Sequence, residues 1–418
     1  MSRVVYRTNC RICGNPSLTS VFDLGKQFLQ GQFVKEGISD PPKRTVPLEL
    51  VWCDVTKNQS ACGLLQLSNT VPSSILYSKY WYRSATNTTM RNHLKSIVDE
   101  IIPMLPEAAS ILDIGANDGY LLSCYPTSYQ RYAVDPSNAI DEISDETIIK
   151  IKDVFPTDKG NMQNVKFNAI TAIAMMYDLE FPQYFIQSVR NSLRPDGIFV
   201  FEMSYMPTMM KMNAFDTICN EHIEYYSLDV IEYLLNIADM KLVNVTLNDT
   251  NGGSIRCTAT PKTNNSILVN EEALDRLRLL EFELSLDTPE PYKDFALKSK
   301  ILSYDLMWQI ERIVKDGKTI HLYGASTKVN TLLQFCQLDK NLIPYAADRN
   351  PDKHNTYTLG TNIHIISEEE SRAMKPDYYL VGPWHFRQEI LIRERETILA
   401  GSTFIFPLPK IEMYPPEA

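Results

Sequence analysis

Short apolar runs alternate with polar, helix-patterned segments through the middle of the chain. Four of these runs have the length and composition of buried strands. Strands that alternate with helices in this way form a doubly wound α/β sheet with helices on both faces. The predicted strands span 111–114, 132–134, 169–174 and 198–201.

Helices are predicted on either side of these strands. Residues 85–105 repeat apolar residues at helical spacing after a polar cap, which predicts a helix before the first strand. A second helix is predicted over 182–193. It should end by Arg194, because Pro-Asp-Gly at 195–197 is a strong turn signal.

The last third of the chain repeats the alternation after a long amphipathic segment. That segment, 271–316, contains Pro289 and Pro291, and we therefore expect two helices. A strand, a glycine turn and a helix then begin at 319–326, which predicts a second Rossmann-like unit. Its Gly324 stands alone, so we expect no cofactor of its own there. Further strands are predicted at 342–348, 378–381 and 404–406.

The beginning of the chain has a different character. It is turn-rich, contains proline and carries four of the eight cysteines, as expected of a small metal-stapled module. The sequence therefore predicts three domains. They are an N-terminal module over 1–75, a central domain over 76–262 and a C-terminal domain over 263–418.

Composition excludes several classes of partner. The 418 residues carry a net charge of −10, with no Lys/Arg cluster of the kind that binds nucleic acid. No stretch approaches the roughly 18 apolar residues of a membrane span, and the first residues lack the apolar core of a signal peptide. We expect a cytoplasmic protein with reduced thiols, a monomer or weak dimer, that binds neither nucleic acid nor membrane.

The early cysteines indicate a metal site. Cys10 and Cys13 form a Cys-x-x-Cys knuckle, and Cys62 with its following glycine has the same local chemistry. Cys53 is the expected fourth ligand, since the polar insert 54–61 can loop out. Four thiolates leave no open position on Zn²⁺, so we expect a structural zinc ion. Free thiols are the alternative.

The junction after the first predicted strand indicates a ligand. A strand, a glycine turn and a helix start let the backbone approach a ligand closely. The spacing is not Gly-x-Gly-x-x-Gly, and its carboxylates disfavour a pyrophosphate but suit a sulfonium and an amino group. A further acid follows the second strand, where a ribose diol is usually held. The pattern predicts S-adenosylmethionine (SAM) rather than NAD; an ordinary turn with solvated acids is the alternative. The candidate SAM-binding residues are Asp113, Gly115, Asn117, Asp118, Gly119 and Asp135.

Polar residues near the end of the fourth strand are candidates for acid–base chemistry. His222 is a natural general base near neutral pH, and the adjacent Glu221 can orient it or raise its basicity. A surface histidine beside solvated acids is the alternative. The cluster of Tyr80, Trp81 and Tyr82 offers hydroxyl groups to a sugar or carbonyl oxygen, or packs as a hydrophobic staple onto the helix over 85–105.

Motifs along nearly the whole chain resemble one family, the three-domain SAM-dependent sugar C-methyltransferases of nucleotide-linked deoxysugar biosynthesis. Each motif alone is modest, but their order is specific. In the first two domains they are Cys-Arg-Ile-Cys at 10–13, Asp-Leu-Gly at 23–25, Cys-Gly-Leu-Leu-Gln-Leu at 62–67, Tyr-Arg-Ser at 82–84, Asp-Ile-Gly-Ala-Asn-Asp-Gly at 113–119, Met-Tyr-Asp-Leu at 176–179 and Asp-Thr-Ile-Cys-Asn-Glu-His at 216–222. In the third they are Tyr-Gly-Ala-Ser-Thr-Lys at 323–328, Asp-Arg-Asn-Pro-Asp-Lys at 348–353, Pro-Trp-His at 383–385 and Pro-Leu-Pro at 407–409.

The resemblance implies a fold and an activity. It implies a zinc-binding module, a Rossmann-like class I SAM methyltransferase domain and a second Rossmann-like α/β domain. It also implies a nucleotide-linked 4-keto-hexose as substrate, carried on dTDP, GDP or UDP. The base takes a proton from the carbon beside the ketone (C3), and the resulting enolate carbon attacks the sulfonium methyl group.

The resemblance also implies roles for single residues. His222 matches the base, Glu221 its neighbour in the active site and Tyr82 a phenol close to the reacting sugar. Asn220 stands where relatives usually carry a histidine. Lys328, near a helix start, is expected to meet a phosphate of the nucleotide. The candidate substrate-binding residues are Tyr177, Tyr205, Asn220 and Lys328.

Two other functions fit the sequence. An O- or N-methyltransferase acting on a sugar or another small molecule would share the fold and the cofactor but need no ketone. A non-catalytic, zinc-stapled binding protein would keep the SAM pocket without using His222 as a base.

Overall fold

A computed structural model describes residues 4–35, 44–76, 83–86 and 88–416. The strands of this part of the chain are β1 (Val5–Tyr6), β2 (Leu18–Phe28), β3 (Phe33–Lys35), β4 (Thr45–Cys53), β5 (Leu65–Leu67), β6 (Asn69–Thr70), β7 (Ser110–Ile114), β8 (Gln130–Val134), β9 (Ile148–Ile151), β10 (Phe167–Ile173), β11 (Leu193–Ser204), β12 (Glu224–Tyr225), β13 (Met240–Asn248), β14 (Ser254–Pro261), β15 (Ile320–Tyr323), β16 (Tyr345–Asp348), β17 (Thr356–Thr358), β18 (His364–Ser367), β19 (Tyr378–Val381), β20 (Thr403–Phe406) and β21 (Glu412–Tyr414). The α-helices are α1 (Ser73–Leu76), α2 (Thr88–Ile101), α3 (Tyr120–Ser123), α4 (Pro182–Ser192), α5 (Met206–Lys211), α6 (Leu228–Ile237), α7 (Glu271–Glu283), α8 (Glu290–Lys315), α9 (Thr327–Phe335), α10 (Glu368–Ala373), α11 (Arg387–Arg393) and α12 (Arg395–Leu399).

The central sheet has seven strands in the order β13-β14-β11-β10-β7-β8-β9. Strands β7 to β11 are parallel, and β14 runs antiparallel to both of its neighbours. The chain leaves β7 for β8 on one side and later returns to β10 on the other. The carboxyl ends of β7 and β10 therefore border a crevice at a topological switch point, where doubly wound sheets bind ligands.

The four predicted central strands are confirmed, and the turn predicted at 195–197 is partly wrong. Helix α4 ends at Ser192, as expected, but residues 195–197 lie inside the long strand β11. Leu193 pairs with Phe167 and Ile198 pairs with Ala169, so the Pro-Asp-Gly residues bulge out while the strand continues. A sequence signal for a turn does not distinguish a bulge from a chain reversal.

A second large sheet has eight strands in the order β21-β20-β19-β15-β16-β18-β17-β3. Its centre, from β20 to β18, is parallel, which confirms the second Rossmann-like unit. The amphipathic segment before it forms α7 and α8, as predicted. Pro291 lies in the first turn of α8, where a missing N–H removes no helical hydrogen bond.

The N-terminal residues are interleaved with the rest of the molecule. Strands β2, β4 and β5 form a small antiparallel sheet that β12 extends from the middle of the chain. Strand β3 leaves this module and pairs with β17 at the edge of the eight-stranded sheet. The rings of Trp52 and Tyr292, 5.3 Å apart, join β4 to α8. The domain bounds 1–75, 76–262 and 263–418 stay a prediction from the sequence. Among the helices of the described residues, none has the length and apolar character needed to cross a membrane.

Candidate active site and zinc centre

A cavity of about 1960 Å³ lies between the carboxyl ends of the central sheet and those of the eight-stranded sheet. Sites for one small molecule usually enclose roughly 300–1,000 Å³. The cavity therefore has room for two ligands side by side, one against each sheet.

The turn after β7 forms the first wall. Gly115 and Asn117 both have left-handed backbone (φ 73° and 51°), and the N–H of Gly115 donates to the carbonyl of Val134 at 2.8 Å. The turn thus folds back against the end of β8. A Cβ on Gly115 would lie 3.2 Å from the Met175 side chain, so there is little space for a side chain at this position. The backbone of Gly115, without a side chain to cover it, lines the cavity.

Two carboxylates stand at this wall. Asp113 is buried and accepts a hydrogen bond from the Thr171 hydroxyl at 2.6 Å; its burial raises its pKa to about 7. Asp135 accepts the N–H groups of Asn117 and Ser137 at 2.9 and 2.7 Å, which fixes its carboxylate at the end of β8. Both residues line the cavity.

Asp118 and Gly119 shape the turn in different ways. Asp118 lines the cavity and accepts the N–H of Ala85 at 2.7 Å, which ties residues 84–86 to the turn. Gly119, in contrast, faces inward. It begins α3 with φ 74°, and a Cβ there would lie 2.8 Å from Ile143.

His222 lies on the loop that joins the short helical turn Phe215–Thr217 to β12, and it lines the same cavity. Its Nδ1 is 2.9 Å from the carbonyl oxygen of Thr217. Because a carbonyl oxygen only accepts, Nδ1 carries the proton and Nε2 keeps a free lone pair. No described residue hydrogen-bonds Nε2. Burial, and secondarily the charge of Lys328, lower the pKa of His222 to about 4, so the imidazole is neutral at pH 7.

Glu221 lies beside His222 in the cavity wall. Burial raises its pKa to about 7, and a hydrogen bond with Thr327 opposes that shift. Gly31 provides the space for its carboxylate, since a Cβ on Gly31 would lie 1.9 Å from Glu221 Oε1. The side chain thus sits between the N-terminal module and the start of α9.

Lys328 in α9 and His385 after β19 lie on the side of the cavity formed by the eight-stranded sheet. Both line the cavity together with His222. The Lys328 Nζ donates to the carbonyl of Asn251 at 2.7 Å; its burial lowers its pKa, and the charge of Asp216 opposes this. Burial lowers the pKa of His385 to about 3, with Lys328 contributing. Asp216 is itself held by the Trp384 indole N–H at 2.8 Å.

The remaining predicted site residues are not all in the cavity. Tyr177 lines it, with its ring centroid 4.3 Å from that of His222. Tyr205 does not: its hydroxyl donates to Glu281 at 2.5 Å inside the core, so the structure gives it no contact with a substrate. Asn220 is also buried behind the wall. Tyr82, like Tyr80 and Trp81, lies outside the described residues.

The side chain and the N–H of Asn220 both bind the Gln30 side-chain oxygen, at 2.9 and 3.1 Å. Gln30 in turn accepts the side-chain amide of Asn330 on its own carbonyl at 2.6 Å. Asn220 therefore anchors the loop of Glu221 and His222 from behind, instead of contacting the substrate as predicted.

The four predicted zinc ligands meet in one place. The sulfur atoms of Cys10, Cys13, Cys53 and Cys62 all lie within 4.8 Å of one another, and two pairs are 3.5 Å apart. A tetrahedron of thiolates around Zn²⁺ at about 2.3 Å has sulfur atoms about 3.8 Å apart. The group fits zinc, and four thiolates close its coordination shell.

Comparisons with known families cover the chain in three successive segments. Residues 10–77 match a zinc binding domain, residues 86–245 a methyltransferase domain and residues 249–409 a C-methyltransferase C-terminal domain. In this order, the three matched segments give the chain the domain composition of a SAM-dependent C-methyltransferase. C-methyltransferase NovU from Streptomyces niveus is 26% identical over 411 residues, which are 96% of this chain and 95% of that protein.

Two solved structures match the chain over less than half of its length. A SAM-dependent methyltransferase from Clostridium acetobutylicum is 12% identical, with 41% of this chain and 92% of that chain covered and a TM-score of 0.32. Magnesium protoporphyrin IX methyltransferase from Synechocystis, with bound SAH, is 10% identical, with 43% and 90% covered and a TM-score of 0.34.

The methyltransferase domain, the relative NovU and the four-cysteine cluster identify this C-methyltransferase as a SAM-dependent enzyme with a structural zinc ion. The wall formed by the turn after β7 and by Asp135 after β8 fits SAM. Its backbone is accessible to a ligand in the cavity, Asp113 suits a cationic group and Asp135 suits hydroxyl groups. Zinc in the Cys10–Cys62 cluster supplies stability and takes no part in the reaction, because it has no free coordination position.

Sequence reasoning missed Asp153, Val154 and His93 as cavity residues, and it did not pair His93 with Glu202. Asp153 and Val154 follow β9 and extend the first wall of the cavity, a position that their place after a strand could have indicated. His93 of α2 and the buried Glu202 of β11 meet with Nε2 and Oε1 2.5 Å apart, where Glu202 also binds Arg256 at 2.9 Å. Their separation of 109 residues hides this pair from local patterns.

We expect Gly31→Ala to lower kcat at least about tenfold, because the added methyl group displaces the Glu221 carboxylate. Steady-state kinetics and thermal unfolding of both proteins check this. In a double-mutant cycle, Gly31→Ala should add little in the Glu221→Ala background, where the clash is gone. Equal effects in both backgrounds would contradict the proposed contact.

Proposed function

We propose that this enzyme methylates C3 of a nucleotide-linked 4-keto-deoxysugar, with His222 as the general base. One observation carries the proposal: a neutral imidazole donates its Nδ1 proton to the Thr217 carbonyl, its Nε2 has no hydrogen-bond partner among the described residues, and His222 lines a cavity large enough for donor and acceptor. An imidazole that is neutral at pH 7 is in the protonation state needed to accept a proton from carbon beside a ketone.

The reaction begins with proton transfer from the sugar C–H to Nε2 of His222. The Thr217 carbonyl continues to accept from Nδ1 and thus stabilises the imidazolium that forms. Bound SAM supplies an electrophilic methyl group on a sulfonium. The first wall and the His222 wall hold the two ligands side by side, so that the substrate carbon and the methyl group can be aligned.

Lys328 is placed to stabilise negative charge on the substrate. Its charge acts on His222 and His385, so it lies in the same part of the cavity as the base. An ammonium group removed from water interacts strongly with a developing enolate oxygen. We therefore assign Lys328 to the keto oxygen of the substrate and revise our expectation that it binds phosphate.

Glu221 and Tyr177 position the base and the sugar. With a pKa raised to about 7, Glu221 can donate a hydrogen bond to a sugar oxygen or accept one. The Tyr177 ring packs on His222 and restricts the imidazole to one orientation. Tyr82 keeps its proposed role as a phenol close to the reacting sugar.

The nucleotide part of the substrate is assigned to the ends of the eight-stranded sheet. Ser326, Arg349, Asn350 and Lys353 follow β15 and β16 and line the cavity on that side. Arg349 and Lys353 offer positive charge for a diphosphate. Reduced thiolates are required at the zinc site, so we place the enzyme in the cytoplasm.

The test is a panel of dTDP-, GDP- and UDP-linked 4-keto-6-deoxysugars, each incubated with SAM beside its reduced 4-hydroxy form. We expect methyl transfer to the keto sugar only, with NMR placing the methyl group on carbon. A methyl group on oxygen or nitrogen, or equal activity on the hydroxy sugar, would reject the proposal.

A second measurement isolates proton removal. In D₂O, without SAM, the enzyme should exchange the hydrogen at C3 of the 4-keto sugar, and this exchange should depend on His222. An O- or N-methyltransferase would leave that hydrogen in place, so the experiment separates the two reactions.

The pH dependence tests Lys328. Because its charge lowers the pKa of His222, the Lys328→Met variant should have a His222 pKa above the value of about 4 in the native enzyme. The acid limb of kcat/KM should move to higher pH, and kcat at pH 8 should fall on the order of 10²-fold with the loss of enolate stabilisation.

As a matched control, Lys298→Met removes a lysine from the exposed surface of α8 and should change neither quantity. An unshifted acid limb in Lys328→Met, together with a higher KM alone, would return Lys328 to phosphate binding.

A further inference from the structure

A cluster of polar and charged side chains lies at the edge of the cavity, and none of its members has a role in the reaction proposed above. Its centre is the buried carboxylate of Glu202, near the carboxyl end of β11. One oxygen lies 2.5 Å from His93 Nε2, and the other accepts from Arg256 and Asn248 at 2.9 and 3.0 Å. We call these four residues the Glu202 cluster. Buried charge pairs contribute little net stability, so stability does not explain the cluster.

The contact between His93 and Glu202 has a defined direction. Burial raises the pKa of the Glu202 carboxyl, but the hydrogen bond with His93 and the charge of Arg256 outweigh this and leave the pKa below its usual range. The carboxylate therefore only accepts, and Nε2 of His93 carries the proton. Nδ1 lies 3.1 Å from the hydroxyl oxygen of Thr250. Because a hydroxyl group both donates and accepts, His93 stays joined to Thr250 in either protonation state of Nδ1.

Thr250 begins the short helical turn Thr250–Gly252, which connects β13 to β14. Its N–H donates to the Asn248 side-chain oxygen at 3.0 Å, a second link to the Glu202 cluster. The next residue, Asn251, has left-handed backbone with φ 56°. The Thr250–Gly252 turn is thus fixed to the central sheet through both the side chain and the backbone of its first residue.

The same turn holds Lys328 on its other side. The carbonyl of Asn251 accepts a hydrogen bond from Lys328 Nζ at 2.7 Å. A Cβ on Gly252 would lie 3.3 Å from the Trp384 ring, so the turn packs closely against the C-terminal part of the chain. Asp216 also attracts the ammonium group, but among the described contacts no hydrogen bond joins these two side chains. The position of Nζ therefore depends on the Asn251 carbonyl.

We propose that His93 and Thr250 are positioning residues, which hold the Lys328 ammonium group in place through the Thr250–Gly252 turn. A lysine side chain is flexible, so without the Asn251 carbonyl its charge would spread over several positions. An ammonium group that is not preorganised stabilises a developing enolate oxygen less. This inference rests on the proposed function, since the role of Lys328 toward the keto oxygen comes from there.

Direct contact with a ligand is the competing role, because His93 and Thr250 both line the cavity. His93 does not suit it. Its side chain is 13% exposed, and its two ring nitrogens are already occupied by Glu202 and Thr250. It has no free polar atom to offer to a substrate, so a role through Lys328 agrees better with the geometry.

Thr250→Val tests the proposal, because it keeps the shape of the side chain and removes the hydroxyl group. The zinc-loaded full chain is assayed with SAM and the 4-keto sugar of the panel that is methylated fastest. We expect kcat to fall about tenfold with the KM for SAM unchanged. The acid limb of kcat/KM should move to higher pH, as in Lys328→Met, since a less fixed ammonium group lowers the pKa of His222 less.

Two further variants isolate the hydroxyl group. Thr250→Ser keeps it and should recover most of the lost activity. Thr246→Val makes the same exchange at an exposed position of β13 and should change neither kcat nor the acid limb. Thermal unfolding checks that each variant folds. Crystal structures of the native and Thr250→Val chains should show Nζ of Lys328 leaving hydrogen-bond distance of the Asn251 carbonyl, which requires no acceptor.

Double-mutant cycles separate positioning from direct contact. In the Lys328→Met background no ammonium group is left to position, so Thr250→Val should change kcat by less than about twofold. In the His93→Ala background its effect should be equally small, because the hydroxyl group has lost its partner.

A tenfold loss in both backgrounds would show that Thr250 acts on the substrate itself and would overturn the proposal. A Thr250→Val structure in which Nζ still binds the Asn251 carbonyl would also overturn it. If no 4-keto sugar of the panel is methylated, the proposed function fails, while the crystal structures still decide whether His93 and Thr250 hold Lys328.

Discussion

Replacement of His222 by glutamine is expected to lower kcat on the order of 10²–10⁴-fold. Glutamine keeps a side-chain amide that can donate to the Thr217 carbonyl, as Nδ1 does in the native enzyme. Its other polar atoms have no basicity near neutral pH, so the substrate C–H keeps its proton. The same variant should lose hydrogen exchange at C3 in D₂O, because exchange needs the proton transfer but not the methyl group.

Binding should survive this substitution. SAM is assigned to the wall formed by the turn after β7 and by Asp135, and His222 lies outside that wall. Calorimetry of SAM binding should therefore give an affinity within about threefold of the native value. His364→Gln is the matched control, since His364 stacks on Tyr357 with ring centroids 4.8 Å apart, outside the cavity lining. It should retain full activity.

If His222→Gln kept kcat within about tenfold of the native value and still catalysed exchange, another group would be the base. His385 would then be the group to test, since it lines the same cavity and its Nδ1 has no partner within the described part of the chain.

The sequence predicted the first wall of the site because its signals are local. A strand, left-handed turn residues and a helix start lie within ten residues, and the φ values of Gly115 and Asn117 agree with that pattern. The four cysteines were predicted for a similar reason: the ligand chemistry of thiolates limits what such a set can do. Alternation of strands and helices likewise predicted both large sheets.

Tyr205 and Asn220 show where sequence proximity fails. Both are near the candidate base along the chain, but the direction of each side chain depends on partners far away in sequence. Glu281 of α7 turns the Tyr205 hydroxyl into the core, and Gln30 of the N-terminal module holds Asn220 behind the wall. Neither Glu281 nor Gln30 lies in a local sequence pattern that predicts the contact.

Gly31 is a cavity residue that the sequence did not predict. This glycine lies in the N-terminal module, and nothing in its neighbourhood suggests a catalytic role. Its importance follows from the packing of that module against the Glu221 loop, where only a hydrogen atom fits in place of a side chain. A site assembled from three parts of the chain needs the tertiary structure before such a position can be found.

The zinc module is joined to the loop that carries His222 by an unbroken set of contacts. The N–H of Cys53 donates to the Leu64 carbonyl at 2.8 Å, close to Cys62, and β5 follows immediately. β5 then pairs with β12, two residues after His222, and the N–H of Leu67 donates to the Ile223 carbonyl at 2.9 Å. Arg11, inside the Cys10–Cys13 knuckle, donates to the Leu67 carbonyl at 2.6 Å.

Removal of one zinc ligand is therefore expected to reduce activity as well as stability. In Cys53→Ser, the zinc content should fall from one to below about 0.1 ion per chain, since a structural site holds its ion through all four thiolates. Hydrogen exchange should speed up in β4, β5 and β12, and kcat should fall at least about tenfold as the His222 loop loses its support. Metal analysis, exchange mass spectrometry and kinetics measure the three effects on one sample.

Cys124→Ser is the matched control, because this half-buried thiol donates to the Tyr120 carbonyl and lies away from the metal site. It should leave zinc content, exchange and kcat unchanged. If Cys53→Ser lost its zinc and exchanged faster only in β4, with β12 and kcat unaffected, the zinc module would stabilise itself alone. Faster exchange in β12 with a lower kcat and unchanged SAM affinity would show that zinc holds the base in place through β5, because the SAM wall lies on a different sheet from this module.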